Sequence, residues 1–188
     1  MWKSAITIVT VLGNPSMLHP ETIVRPASQN IGVGVFATAR ITAGTVVWRF
    51  GGADLRVSFS CLPQLDFAMR RHIDRYAFSY SGRNLIVCGD NARYINHSCD
   101  ANCSWGGGDF EIALRDIHVG EELTNDYAMF VDEPPFSCQC TSAACRGQVQ
   151  SYPPPLRLSL LLQRLRPLAH SFNCVPQPLL HMPTGRCR

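Results

Sequence analysis

From residue 22 onward the chain alternates short apolar runs with polar or glycine-bearing breaks. Residues 22–25, 34–37 and 45–50 are β-branched or aromatic stretches of strand length, set apart by Gly, Asn and Pro. The same pattern predicts strands at 76–80, 85–87 and 111–113. One segment has a different period. Leu62, Leu65, Met69 and Ile73 recur at helical spacing, with Arg70, Arg71 and Arg75 between them, which predicts a helix over 62–75. Many short strands with little helix indicate a mainly β domain. Residues 1–20 form a leader punctuated by Pro15 and Pro20. Its apolar run, 5–12, is followed by Gly13-Asn14-Pro15 rather than a small-x-small cleavage site, so it reads as a strand or loosely ordered leader, and secretion is not expected. Beyond Tyr152, Pro153-Pro154-Pro155 opens a stretch dense in Leu and Arg, read as one short amphipathic helix or irregular chain. No stretch reaches the ~18 apolar residues of a membrane-spanning helix.

Length and composition narrow this picture. A chain of 188 residues is one domain with room for a core, and 46% apolar against 16% charged residues describes a folded protein. The net charge of +3 hides an asymmetry. All 14 acidic residues precede residue 134, whereas 151–188 hold five arginines and no acid. The first 150 residues therefore carry 12 basic against 14 acidic side chains. A slightly acidic body suits a basic peptide better than a nucleic-acid backbone, so no direct nucleic-acid readout is expected.

Nine cysteines could indicate a disulfide scaffold, but the number is odd, and three of them form C-x-C-x₄-C at Cys138, Cys140 and Cys145. Structural zinc takes four ligands from close pairs and a distant partner, and by spacing either Cys99 or Cys103 could be the fourth. Cys61, Cys88, Cys174 and Cys187 stand apart and read as ordinary thiols. Gly32-Val33-Gly34 allows a sharp turn or a close backbone approach, and lacks the third glycine of a dinucleotide fingerprint. His97 with Cys99 or Cys88 would make a nucleophile pair of the cysteine-hydrolase kind, although a cysteine committed to zinc cannot attack a carbonyl. Glu121-Glu122 reads as a solvated turn, and Asp126-Tyr127 as a phenol in an apolar setting that needs a hydrogen-bond partner.

Together, in order and spacing, four segments resemble the SET-domain family. They are Gly32-x-Gly34-Val35-Phe36-Ala37; Arg93-Tyr94-Ile95-Asn96-His97-Ser98-Cys99; Gly120-Glu121-Glu122-Leu123-Thr124 with Asp126-Tyr127; and the cysteine triplet ending in Arg146-Gly147. The layout is similar to small stand-alone SET proteins carrying a post-SET zinc motif. The resemblance implies a β-clip fold of small curled sheets with few short helices and a pseudoknot, an exception to the rule against threaded chains. It divides the chain into a leader (1–20), a SET domain (21–133), a post-SET zinc segment (134–150) and a Pro/Leu/Arg-rich tail (151–188). It implies S-adenosylmethionine held by Gly32, Val33, Gly34, Tyr94, Asn96, His97 and Tyr127, with Tyr127 catalytic. The zinc ligands it implies are Cys99, Cys138, Cys140 and Cys145, with Cys103 outside the set. The implied partner is a protein with an exposed lysine, such as a histone.

Methyl transfer to lysine needs a neutral amine. With a reference pKa of ~10.4, deprotonation at pH 7 costs roughly 4–5 kcal/mol, which a dry channel and a nearby positive charge would reduce. Four positions depart from the family pattern. Asn125 replaces a Phe or Tyr that influences how many methyls are added. Val33 replaces an aromatic, Ala101 a proline, and Trp48-Arg49-Phe50-Gly51-Gly52 a tyrosine-and-glycine motif. Asn125 and the region around residue 50 motivate a second reading, a non-catalytic SET-derived zinc-binding interaction module.

Overall fold

The computed structural model describes residues 17–28, 31–80, 84–107, 109–130 and 134–180; the apolar run 5–12 and Cys187 lie outside them. The early strands follow the sequence pattern. A hairpin of β1 (Thr22–Pro26) and β2 (Val33–Ala37) is followed by β3 (Val46–Arg49) and β4 (Leu55–Ser58). The predicted helix over 62–75 begins later than its apolar spacing suggested. Residues Phe59–Gln64 form a 3-10 segment containing Pro63, which cannot donate to a helical ladder. Asp66 then caps α1 (Phe67–Tyr76), its Oδ1 accepting from the Met69 amide at 2.7 Å. Of the four residues that defined the helical stripe, Ile73 is buried while Met69 is exposed.

Next come β5 (Ala77–Tyr80), β6 (Asn84–Val87), β7 (Asn96–His97), β8 (Cys103–Trp105), β9 (Phe110–Ala113) and β10 (Thr124–Asn125). The strands curl into small separate sheets, as the β-clip expectation required: β1-β2, β4-β6-β5 and the five-stranded β3-β9-β8-β10-β7. A main core of Val35, Ile41, Val47, Trp48, Ile95, Ile117 and Leu123 lies among them.

Strand β10 carries the threading. Asn125 pairs with His97 on one side and Cys103 on the other, parallel to both. Parallel neighbours ordinarily need a crossover of a dozen or more residues. Here β7 and β8, which lie on either side of β10, are joined by residues 98–102 alone. Asn102 stabilises that short loop from within. Fully buried, its side chain accepts from the Thr124 amide (2.9 Å) and donates to the Glu122 carbonyl (2.8 Å).

The C-terminal third folds back on this frame. β11 (Phe136–Ser137) pairs with β12 (Gln148–Val149), and α2 (Pro154–Leu165) and α3 (Ala169–Cys174) follow, joined by a 3-10 turn. Proline in the first turn of α2 starts the helix where its missing N–H is no loss. Gln177, buried, then covers the open edge of β3. It accepts from the Val46 amide and donates to the Gly44 carbonyl, both at 2.8 Å. Cys174, read from the sequence as an ordinary thiol, is disulfide-bonded. Among the described residues no helix is long and apolar enough to cross a membrane.

Candidate active site

The turn before β2, the first motif and the second motif meet at one cleft. Asn96 is its anchor. The Asn96 amide donates to the Val33 carbonyl at 2.9 Å and to Glu122 Oε1 at 2.7 Å, joining β2, β7 and the strand entering β10. A Cβ at residue 34 would displace the Glu122 carboxylate and press on the Asn96 amide, so glycine there lets both groups close on the strand. The outer cleft holds about 640 Å³ and is walled by Ile31, Phe36, Asn96, His97, Glu122 and the segment after Cys140. That size and a few convergent polar groups are ordinary for a small-molecule site.

A second hollow of about 290 Å³ continues from it, sharing Asn96, His97 and Cys140 and adding Tyr127 and Phe136. Tyr127 also lines a third, inner cavity of about 90 Å³ with Tyr76, Phe78, Ile95, Glu111 and Phe130. Among the described residues, Tyr127 is the one lining residue that these last two hollows share. Its hydroxyl donates to the Ile95 carbonyl at 2.7 Å, and its ring meets Phe130 at 5.4 Å. Asp126 fixes the local backbone. This carboxylate, 3% exposed, accepts from the Ala128 amide and forms ion pairs with Arg146 (2.5 Å) and Arg164 of α2 (3.1 Å).

At the inner cavity Asn125 donates to Glu111 Oε2 at 2.7 Å, with both side chains buried. Burial pushes the Glu111 carboxyl up to about 7, against the Asn125 amide, which lowers it.

Beside the middle hollow lies a thiol cluster. The donor atoms of His97, Cys99, Cys138 and Cys140 lie within 4.8 Å of one another. Cys145 joins them through hydrogen bonds to the Cys138 and Cys140 thiols. Zinc with ~2.3 Å bonds to sulfur sets neighbouring sulfurs roughly 3.8 Å apart. The Cys99 and Cys138 sulfurs are 3.7 Å apart. Backbone N–H groups of Cys99, Cys140 and Arg146 point at cluster sulfurs at 3.3–3.5 Å, as suits thiolates. Burial pushes Cys138 up to about 12; it also opposes ionisation of Cys140, but amide donors there win and draw it down to about 6. The donor set fits zinc.

Five groups compete for four positions, and hydrogen bonding sorts them. His97 Nδ1 accepts from the Tyr127 amide at 3.1 Å, so in the neutral ring Nε2 carries the proton. Burial holds His97 below its usual range, outweighing the pull of Asp126. Nε2 then faces Cys99 Sγ at 3.4 Å as a donor. His97 thus stands between the thiol cluster of Cys99, Cys138, Cys140 and Cys145 and the backbone of Tyr127. Cys103 is fully buried in β8, in the main core.

The structure thus brings Asn96, His97, Tyr127, Cys99, Cys138, Cys140 and Cys145 together. Val33 reaches the cleft through its carbonyl, and Gly32 holds the preceding turn at φ 92°. Tyr94 instead packs edge-on to Tyr76 at 5.8 Å, behind the inner cavity. The Cys88–His97 nucleophile pair is not supported, since burial pushes the Cys88 thiol far above its usual range. Glu122, read as a solvated turn, is the partner of Asn96, and Glu111 went unnoticed. The signal for Glu111 was a lone acid inside an apolar strand, opposite Trp48 and Trp105.

Comparison with known proteins places the chain in a family. The SET domain family matches residues 32–128, just over half of the chain. The chain is 34% identical over 126 residues to the histone-lysine N-methyltransferase trithorax of Drosophila virilis, covering 61% of this chain and 3% of that protein. It is 31% identical over 123 residues to histone-lysine N-methyltransferase set1 of Dictyostelium discoideum, covering 60% and 8%. To human histone-lysine N-methyltransferase SETD1B it is 29% identical over 124 residues, covering 61% and 6%. The chain therefore spans under a tenth of the length of these relatives.

Proposed function

This chain belongs to the SET-domain family, and on that premise we propose that it is a protein-lysine N-methyltransferase acting on a basic protein such as a histone. One observation carries the reading: Tyr127 stands where the hollow behind the outer cleft meets the aromatic inner cavity. A donor in the cleft and an amine in the cavity would therefore approach the same phenol from two sides.

S-adenosylmethionine supplies the methyl group, carried on a sulfonium, and is the group for which the outer cleft has the right size and polarity. Asn96 and the backbone of His97 would hold it beside the Gly32–Val33–Gly34 turn. Tyr76, Phe78 and Phe130 keep water from the lysine side chain. Tyr127, oriented by the Ile95 carbonyl, aligns the amine and fixes the field at the transferring carbon; holding two reactants in line is itself a large part of the rate. Cys99, Cys138, Cys140 and Cys145 would hold a zinc ion that fastens the post-SET segment against the cleft, and His97 would pass that constraint to the Tyr127 backbone.

Calorimetric titration with S-adenosylmethionine separates this from a non-catalytic zinc-binding module. Saturable binding is expected, weakened roughly tenfold in Asn96→Ala, the scale of one or two lost hydrogen bonds. Heats of dilution alone from folded wild-type protein would contradict the proposal.

A further inference from the structure

Glu111 is an unusual group to find in such a cavity. It is 6% exposed, on strand β9 between β3 and β8, and lines the same hollow as Tyr127. Among the described residues its carboxylate has one side-chain partner, the Asn125 amide, and it forms no ion pair. A buried carboxylate without a counter-ion is costly. The surroundings are also left incomplete. Asn125 Oδ1 and Trp48 Nε1, both in residues lining this cavity, have no hydrogen-bond partner among the described residues. Aromatic faces and a carboxylate around one small cavity are the combination that receives an alkylammonium group.

Resting on the methyltransferase reading, we propose that Glu111 is the cation-binding and proton-accepting group of the lysine channel. The substrate ε-ammonium enters as the missing counter-ion. Its N–H bond breaks as a Glu111 O–H bond forms, which leaves a neutral amine and a neutral acid in a dry cavity. The nitrogen lone pair then forms the new N–C bond while the sulfur keeps the electrons of the C–S bond. The methylammonium product leaves, and Glu111 returns its proton to water as the channel opens.

The upward push on the Glu111 carboxyl, to about 7, places it where it can both hold and release a proton near neutrality. The titratable and charged groups around it are Arg75 and Tyr76 of α1, Cys88 after β6, Arg93, Cys103 of β8 and Tyr127. Both arginines line the cavity without pairing with Glu111.

Two measurements test the proposal. In the first, ¹³C NMR of protein labelled at glutamate carboxyls follows the Glu111 titration with and without n-butylammonium, and E111Q identifies the resonance. A downward shift of about one pH unit is expected, the effect of a nearby opposite charge. An unmoved midpoint overturns the proposal whatever the activity. In the second, single-turnover transfer from S-adenosylmethionine to core histones is followed from about pH 6 to about pH 9. At neutral pH, E111Q should be roughly 100-fold slower, recover part of that loss as pH rises, and keep wild-type cofactor affinity. Equal rates and profiles overturn the proposal and leave the methyltransferase reading standing. No transfer by wild type overturns the proton-accepting role together with that reading.

Discussion

At Asn125 a family position that ordinarily carries a ring carries an amide, and the structure supplies the physical reason. Its amide hydrogens go to Glu111, so the two residues form one buried polar unit and neither can be exchanged alone without stranding the other. Glu111 also leaves a signature in stability. Its folded value, about 7, lies above the ordinary 4.5. Its favourable contribution is therefore complete below about 4.5 and is lost as pH rises through about 7. Between those limits wild-type protein should lose on the order of 3 kcal/mol on this account, and E111Q should not. Thermal melts of both proteins across that range check it; parallel curves would show that the carboxyl is not held in its neutral form.

Among the elements, the post-SET hairpin β11–β12 and strand β10 depend on each other through small contacts. Cys99 follows β7, its thiol partners lie in the loop between β11 and β12, and His97 spans from Cys99 to the backbone of Tyr127 just after β10. Metal removal should therefore be felt at both ends of that bridge. Chelation is expected to raise amide hydrogen exchange at Cys99, Cys138 and Tyr127 while leaving the β4-β6-β5 sheet protected. Metal analysis should find one zinc per chain in wild type and Cys103→Ser, and none in Cys138→Ser or Cys145→Ser. Fast exchange everywhere, or zinc lost with Cys103, would contradict the assigned ligand set. Much of this site was legible in the sequence because its residues lie within short, closely spaced motifs. What escaped were pairings made across the fold. The start of α1 was set by Asp66 and Pro63 rather than by apolar spacing, and Glu122 and Glu111 took their meaning from Asn96 and Asn125, distant in sequence. Strands of two or three residues such as β7, β8 and β10 have no periodicity to read, since it is their threading that forms them.

For the whole molecule, residues 151–180 are part of the frame around the candidate site. Arg164 of α2 pairs with Asp126, and Arg157 donates to the Phe130 carbonyl at 3.2 Å. Gln177 closes the β3 edge, where Gln177→Ala would leave the buried Val46 amide and Gly44 carbonyl without partners. A loss of about 2 kcal/mol in denaturant unfolding is expected, and an unchanged midpoint would show that water satisfies that edge equally well. The arginines of this otherwise acid-free segment thus face inward as well as out, so the basic charge of the chain is partly structural. We propose that one phenol, that of Tyr127, joins a methyl-donor cleft to a lysine channel. The most direct test of this is mass spectrometry of core histones after incubation with methyl-deuterated S-adenosylmethionine. Wild-type protein should place the label on lysine side chains, and Tyr127→Phe, still folded and still binding the cofactor, should lose roughly 100-fold or more of it. Unlabelled lysines with wild type, or equal labelling by the two proteins, would contradict the account.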